Sequence, residues 1–210
     1  MYERENENSA NEYHRAVRAT SENETEKVSM ELFDWLSCIV TALIFGVLIF
    51  VFVGRTIGVD GISMQQTLYD NDRVIMSNLM YTPSNGDIII FHSPADKFGG
   101  IPLVKRVVAI GGQTLDISPQ NGDVIVDGVV VDEPYIFDMT TALFDFSGPM
   151  YIPEGYVFVL GDNRERTSDS RQNSIGLVDT RYILGQVHFI LFPGADELGN
   201  RDWSRIGFVR

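Results

Sequence analysis

The chain has 210 residues, 44% of them hydrophobic, and a formal charge of −13. That length and apolar content suit one domain with a substantial core rather than a disordered chain, and the acidic balance excludes a nucleic-acid binder, which needs clustered Lys and Arg to neutralise phosphates. The single cysteine, Cys38, forms no internal disulfide, and with only His14, His92 and His188 as imidazoles no metal-ligand spacing exists, so no metal or other cofactor is expected.

Residues 1–34 are rich in Glu, Asn and Ser and read as a flexible, solvated tail. Trp35 to Val53 reads WLSCIVTALIFGVLIFVFV, without a charge, bracketed by Asp34 and Arg55. As a helix these 19 residues span about 28 Å, close to the hydrocarbon thickness of a bilayer. A cleaved export signal would have a shorter core, lie near the chain start and end in small residues. Here 34 residues come first, and Val53-Gly54-Arg55 is a poor cleavage site. A buried core helix suits this length and apolarity less well. The expectation is a transmembrane helix over 35–54 in the lipid bilayer, with Cys38 a small buried hydrophobe inside it. Arg4, Arg15, Arg18 and Lys27 favour a cytoplasmic tail, which makes 55–210 extracytoplasmic.

After Arg55 the pattern is strand-like. Aliphatic and β-branched runs recur between Gly, Pro, Asn and Asp: RVIM (73–76), DIIIF (87–91), PLVKRVVAI (102–110) and YVFVL (156–160). In NGDVIVDGVVVDEPY (121–135), Asp127-Gly128 predicts a type I′ hairpin between two short strands. No helical period interleaves these runs. The fold class is therefore mainly β, an antiparallel sheet domain with a smaller β lobe over 112–150, preceded by one membrane helix.

Four segments carry the chemistry: GISMQQTL (61–68), GDIIIF (86–91), LVKRVVAIGG (103–112) and GDNRERTSDSR (161–171). In this order, behind one apolar helix, they resemble the bacterial type I signal peptidase family from about residue 33 onward. The last segment is the most specific, matching the family's Gly-Asp-Asn-Arg-x-x-Ser-x-Asp-Ser-Arg pattern at all but one fixed position. The resemblance implies a membrane-bound serine endopeptidase that removes signal peptides from exported precursors by a Ser/Lys dyad. Ser63, before Met64, would be the nucleophile and Lys105, before Arg106, the general base. Thr167 stands where the family usually has a Ser that orients the lysine. Buried ion pairs, Arg106 with Asp162 and Asp169 with Arg171, are implied as structural supports. The substrate strand would run along Ile57–Val59 and Leu103–Val104, with Ile57, Val59, Met64, Leu103 and Val104 forming shallow apolar pockets.

Physical chemistry supports the pair independently. A serine hydroxyl is a weak nucleophile and needs an adjacent base, and a lysine amine becomes one only when burial disfavours its charged form. Among Lys27, Lys97 and Lys105, only Lys105 sits in a strongly apolar run. Read alone, Lys105 is a snorkelling strand residue and Ser63 a turn serine. The four segments together decide otherwise. Ten residues separate Ser63 from Val53, which keeps it within about 35 Å of a bilayer surface even on an extended chain.

Two positions depart from the family pattern. Gln66 replaces a usual Pro, removing a fixed φ near the nucleophile. Gly61 stands where some relatives place a Ser that donates to the oxyanion, leaving backbone N–H groups such as that of Ser63 for that task; Gly here is common in Gram-positive members. A pilus-dedicated assembly factor or chaperone is the alternative function, and the presence of both Ser63 and Lys105 weighs against an inactive version of it. A self-cleaving repressor is disfavoured by the apolar segment and by the absence of a basic DNA-binding region. A Ser-His-Asp triad would need His92 or His188, neither of which lies in a motif.

Overall fold

The computed structural model describes residues 30–48, 54–93, 99–136, 138–195 and 199–209. The basic residues 4–27 and the end of the apolar run, 49–53, lie outside the described residues. Two compact units divide the chain, 1–50 and 51–210.

In the first unit, helix α1 runs over Met30–Leu48. The chain is already helical at Met30, so 30–34 belong to the helix and not to the tail. Glu31 and Asp34 lie in its first turns, where acids complement the positive end of the helix dipole. Every described residue of α1 is exposed, including Cys38, which is therefore not a buried hydrophobe within this unit.

Among its described residues the second unit has twelve strands: β1 (Arg55–Gly58), β2 (Arg73–Ser77), β3 (Ile88–His92), β4 (Pro102–Ile110), β5 (Thr114–Ile117), β6 (Val124–Val126), β7 (Val129–Val130), β8 (Met150–Tyr151), β9 (Tyr156–Leu160), β10 (Val178–Asp179), β11 (Ile183–Phe192) and β12 (Gly207–Phe208). The larger sheet has the order β1-β2-β11-β3-β4-β9-β10, with β12 also on β11. The smaller sheet has the order β7-β6-β5-β8 and spans residues 114–151, where the smaller lobe was expected. Every described strand pair is antiparallel.

Local sequence explains most elements. The β6–β7 turn puts Asp127 at φ 50° and Gly128 at φ 80°, the two positive angles that a type I′ turn requires. The IIIF run (88–91) is apolar throughout because β3 is covered on both faces. Ile88 and Ile90 pack in one core cluster, and Ile89 and Phe91 in another, as strand alternation dictates. The longest strand, β11, was not anticipated. Gly185, Gln186 and His188 divide its apolar residues, so it has no continuous aliphatic run, and register shifts mark its pairing with both β2 and β3.

One feature of β4 bears on the site. It pairs with β3 over Pro102–Arg106 but with β9 only from Arg106 to Ile110. Among the described residues its first half therefore has a free edge on the β9 side, and β1 is a free edge at the end of the sheet.

Candidate active site

Ser63 lies in the loop 59–72 between β1 and β2. The base of this loop is closed by the Val59 N–H bonding the Asp72 carbonyl at 2.8 Å and the Asn71 N–H bonding the Val59 carbonyl at 2.9 Å. Met64 and Leu68 are fully buried and anchor the loop in the core beneath β1, β2 and β3. The Leu68 N–H reaches the Met64 carbonyl at 2.8 Å, winding one helical turn after the serine. Gly61, at φ 94°, admits the bend before it, and its N–H bonds Asp70 Oδ1 at 2.7 Å. Ser63 itself is half-buried, accessible at the surface of this rigid turn.

Lys105 projects from β4 and is 3% exposed. Its Nζ is 2.8 Å from Ser63 Oγ and 2.7 Å from the Val104 carbonyl oxygen. Burial draws its pKa down from the ordinary 10.5 to about 8, although Asp169 and Asp162 act in the opposite direction. Desolvation wins because both carboxylates are already engaged by arginines.

Those arginines form the frame of the site. Arg106 Nε and Nη2 donate to Asp162 at 2.9 and 2.7 Å, with both side chains buried. Asp162 also accepts from Thr67 Oγ1 at 2.5 Å, tying the serine loop to the same pair. Arg171 Nε and Nη2 each reach Asp169 at 2.9 Å. Fork-on-carboxylate geometry of this kind satisfies donors and acceptors together, which is what makes such charges tolerable in a core.

Thr167 is buried against Gly161. A Cβ at Gly161 would meet Thr167 Oγ1 and would lie 2.6 Å from the Ser63 carbonyl oxygen, so glycine is required for this close approach. The Thr167 hydroxyl donates to the Ser168 carbonyl at 3.4 Å. His188 bonds Ser77 across β2 and β11 at 2.8 Å, whereas Ser63 is bonded to Lys105.

The residues expected to line substrate pockets separate into groups. Val59 and Met64 are 5% and 1% exposed and belong to the core, leaving little surface for a ligand. Ile57 and Val104 are half-buried and pack on that same cluster. Leu103 packs in a different cluster with Ile89 and Phe91, because neighbours in a strand face opposite sides.

Several supports were not anticipated. Arg164, fully buried, bonds Glu133 through Nη2 at 2.5 Å, Thr140 Oγ1 at 2.6 Å and the Gly161 carbonyl at 3.1 Å. The Tyr135 ring lies 3.8 Å from the Arg106 guanidinium carbon. Thr67 and Arg164 fall inside segments already singled out, but Glu133 and Tyr135 sit in an EPY stretch with no motif to mark them.

A family model described as signal peptidase, peptidase S26, matches residues 32–192. Signal peptidase I of Bacillus licheniformis is 32% identical over 184 residues, covering 83% of this chain and 95% of its own. Signal peptidase I S of Bacillus subtilis (strain 168) is 32% identical over 184 residues, covering 82% and 95%. A crystal structure of a signal peptidase I from Enterococcus faecalis V583 aligns at 29% identity with a TM-score of 0.40, over 50% of this chain and 97% of that one.

Proposed function

The chain belongs to the type I signal peptidase family, peptidase S26, and on that premise we propose that it cleaves signal peptides from exported precursors with Ser63 as nucleophile and Lys105 as general base. The observation that carries the reading is the 2.8 Å contact between a half-buried serine hydroxyl and a buried amine whose pKa is drawn down to about 8.

The steps follow from the geometry. In its neutral form Lys105 donates one N–H to the Val104 carbonyl, which turns the lone pair toward Ser63 Oγ. Ser63 transfers its proton to Nζ as Oγ attacks the scissile carbonyl. The Lys105 ammonium then protonates the departing amine, leaving an acyl group on Ser63. A water molecule, deprotonated by the same amine, releases the acid and restores the serine. A lysine works here where a histidine works elsewhere because burial has removed most of its excess basicity.

The free edges of β1 and of the first half of β4 suit a substrate segment that adds as a strand, with main-chain hydrogen bonds supplying affinity. Ile57 and Val104 would then face its side chains, and their branched bulk leaves room only for small residues at the first and third positions before the cut. Thr167 is assigned the role of orienting the Lys105 amine.

Helix α1 is taken as the membrane anchor. Met30–Leu48 is long and apolar enough to cross a membrane, and a bilayer is the solvent that satisfies such a surface. The basic residues of the tail favour a cytoplasmic N-terminus, which would put the peptidase unit on the other side.

The test is cleavage of a panel of precursors by the full chain purified in detergent, with Ser63→Ala as control. Wild type should cut after small residues and reject Phe or Leu at either position, while Ser63→Ala should insert and fold but cut nothing. Undiminished cleavage by Ser63→Ala would end the dyad reading.

A further inference from the structure

Asn163 touches the nucleophile's backbone at two points. Its Nδ2 donates to the Ile62 carbonyl at 3.2 Å, and its own N–H donates to the Ser63 carbonyl at 3.1 Å. The Ile62 carbonyl also accepts from the Gln65 N–H at 3.2 Å. Asn163 is 8% exposed, and its neighbours Asp162 and Arg164 are locked in buried ion pairs, so the side chain is held rather than free to swing.

The Ile62–Ser63 peptide is trans. In a trans peptide the carbonyl and the N–H point to opposite edges of one plane. Fixing the Ile62 oxygen from one side therefore fixes the direction of the Ser63 N–H on the other. That N–H donates to no group among the described residues. A backbone donor on the nucleophile itself, aimed and unspent, is what a developing oxyanion needs, and Gly61 supplies no side-chain donor for that purpose.

On the reading of Ser63 as the nucleophile, we infer that Asn163 is a positioning residue for the oxyanion donor: by holding the Ile62 and Ser63 carbonyls it aims the Ser63 N–H at the oxygen that becomes negative when Ser63 attacks. It neither touches substrate nor moves a proton. Its effect belongs to the tetrahedral state, where an already oriented donor spends nothing on reorganisation.

The experiment uses the full chain in detergent with Asn163→Ala and Asn163→Asp. Measured quantities are kcat and KM on a precursor peptide, affinity for an uncleavable peptide, affinity for a peptide boronate that forms a tetrahedral adduct on Ser63, and thermal unfolding. Asn163→Asp has nearly the same volume and keeps the backbone bond to Ser63, but sets an acceptor against the Ile62 carbonyl; it carries the test if Asn163→Ala does not fold. We expect kcat to fall about 10²–10³-fold in either folded variant, the range for loss of one oxyanion donor, with KM and uncleavable-peptide affinity within threefold. Boronate affinity should fall in parallel with kcat. For Asn163→Ala, the acid limb of the pH profile should stay where the wild type has it. A kcat within threefold of wild type in Asn163→Asp, or a loss of uncleavable-peptide affinity equal to the loss of kcat, would overturn the assignment. Activity retained in Ser63→Ala would instead sink the nucleophile reading beneath it, so the two failures are distinguishable.

Discussion

Lys105 Nζ stands 2.8 Å from Ser63 Oγ although 42 positions separate the two residues in the chain. Nothing local brings them together. The loop after β1 and the strand β4 meet because β2, β11 and β3 pair between them.

The first consequence is a pH dependence with a definite sign. Only neutral Lys105 accepts the Ser63 proton, and burial holds its pKa near about 8. Cleavage should therefore rise with pH through that value and reach a plateau above it, with roughly a tenfold loss per pH unit below. The kcat/KM profile of the free enzyme is the measurement, and an acid limb near the ordinary lysine value of 10.5 would contradict the burial argument.

Lys105→Arg should be as inactive as Ser63→Ala. A guanidinium keeps the charge but cannot lose its proton in the accessible range, so the loss should be at or above about 10²–10⁴-fold. Lys105→Met should also be inactive, and more stable at neutral pH. The folded lysine resists a proton that the unfolded chain accepts, so the penalty is present below about pH 8 and is relieved between there and 10.5. Parallel denaturant melts of wild type and Lys105→Met at pH 7 and pH 10 test this, and the gap should narrow at the higher pH. Activity in Lys105→Arg within tenfold of wild type would rule out the lysine base.

Thr167→Ser should be tolerated and Thr167→Val should not, because valine keeps the shape and removes the hydroxyl assigned to orient Lys105. Assaying both variants at pH values on either side of 8 separates a packing effect from an effect on the amine. Equal activity in the two would make Thr167 a packing residue only.

Gly161→Ala should disable the enzyme while leaving most of the fold intact. The added methyl meets Thr167 and the Ser63 carbonyl oxygen, so the serine loop must shift. Overpacking of this kind costs about 1–3 kcal/mol, and a shift of the order of 1 Å at a nucleophile costs about 10²-fold. Wild-type kcat with an unchanged melting temperature would show that the loop yields without consequence.

Asp162→Ala should be strongly destabilising although Asp162 takes no part in the chemistry. It removes the carboxylate that faces the buried Arg106 guanidinium and the acceptor for Thr67, and breaking a buried pair costs about 3–5 kcal/mol. Urea unfolding measures it. A change below 1 kcal/mol would mean that Arg106 finds a replacement partner.

Much of this protein is legible in its residues one stretch at a time. The uncharged run after Asp34, the β-branched runs that become β2, β3, β4 and β9, and the Asp127-Gly128 turn each announce themselves, because propensity and periodicity are local properties. The Ser-Met and Lys-Arg pairs and the 161–171 segment marked the candidate site in the same way. Strand β11 has no such aliphatic run, because Gly185, Gln186 and His188 divide its apolar residues, and its place between β2 and β3 comes from partners about a hundred residues earlier. The free edge of β4, the grip of Asn163 on Ile62 and Ser63, and the Glu133–Arg164 pair are likewise absent from any local pattern. Even the basicity of Lys105 is a tertiary property: its apolar neighbours suggest burial, but the balance between desolvation and the carboxylates of Asp162 and Asp169 exists only once the chain has closed around them, since electrostatic energies depend on distances and solvent access that the folded core alone sets.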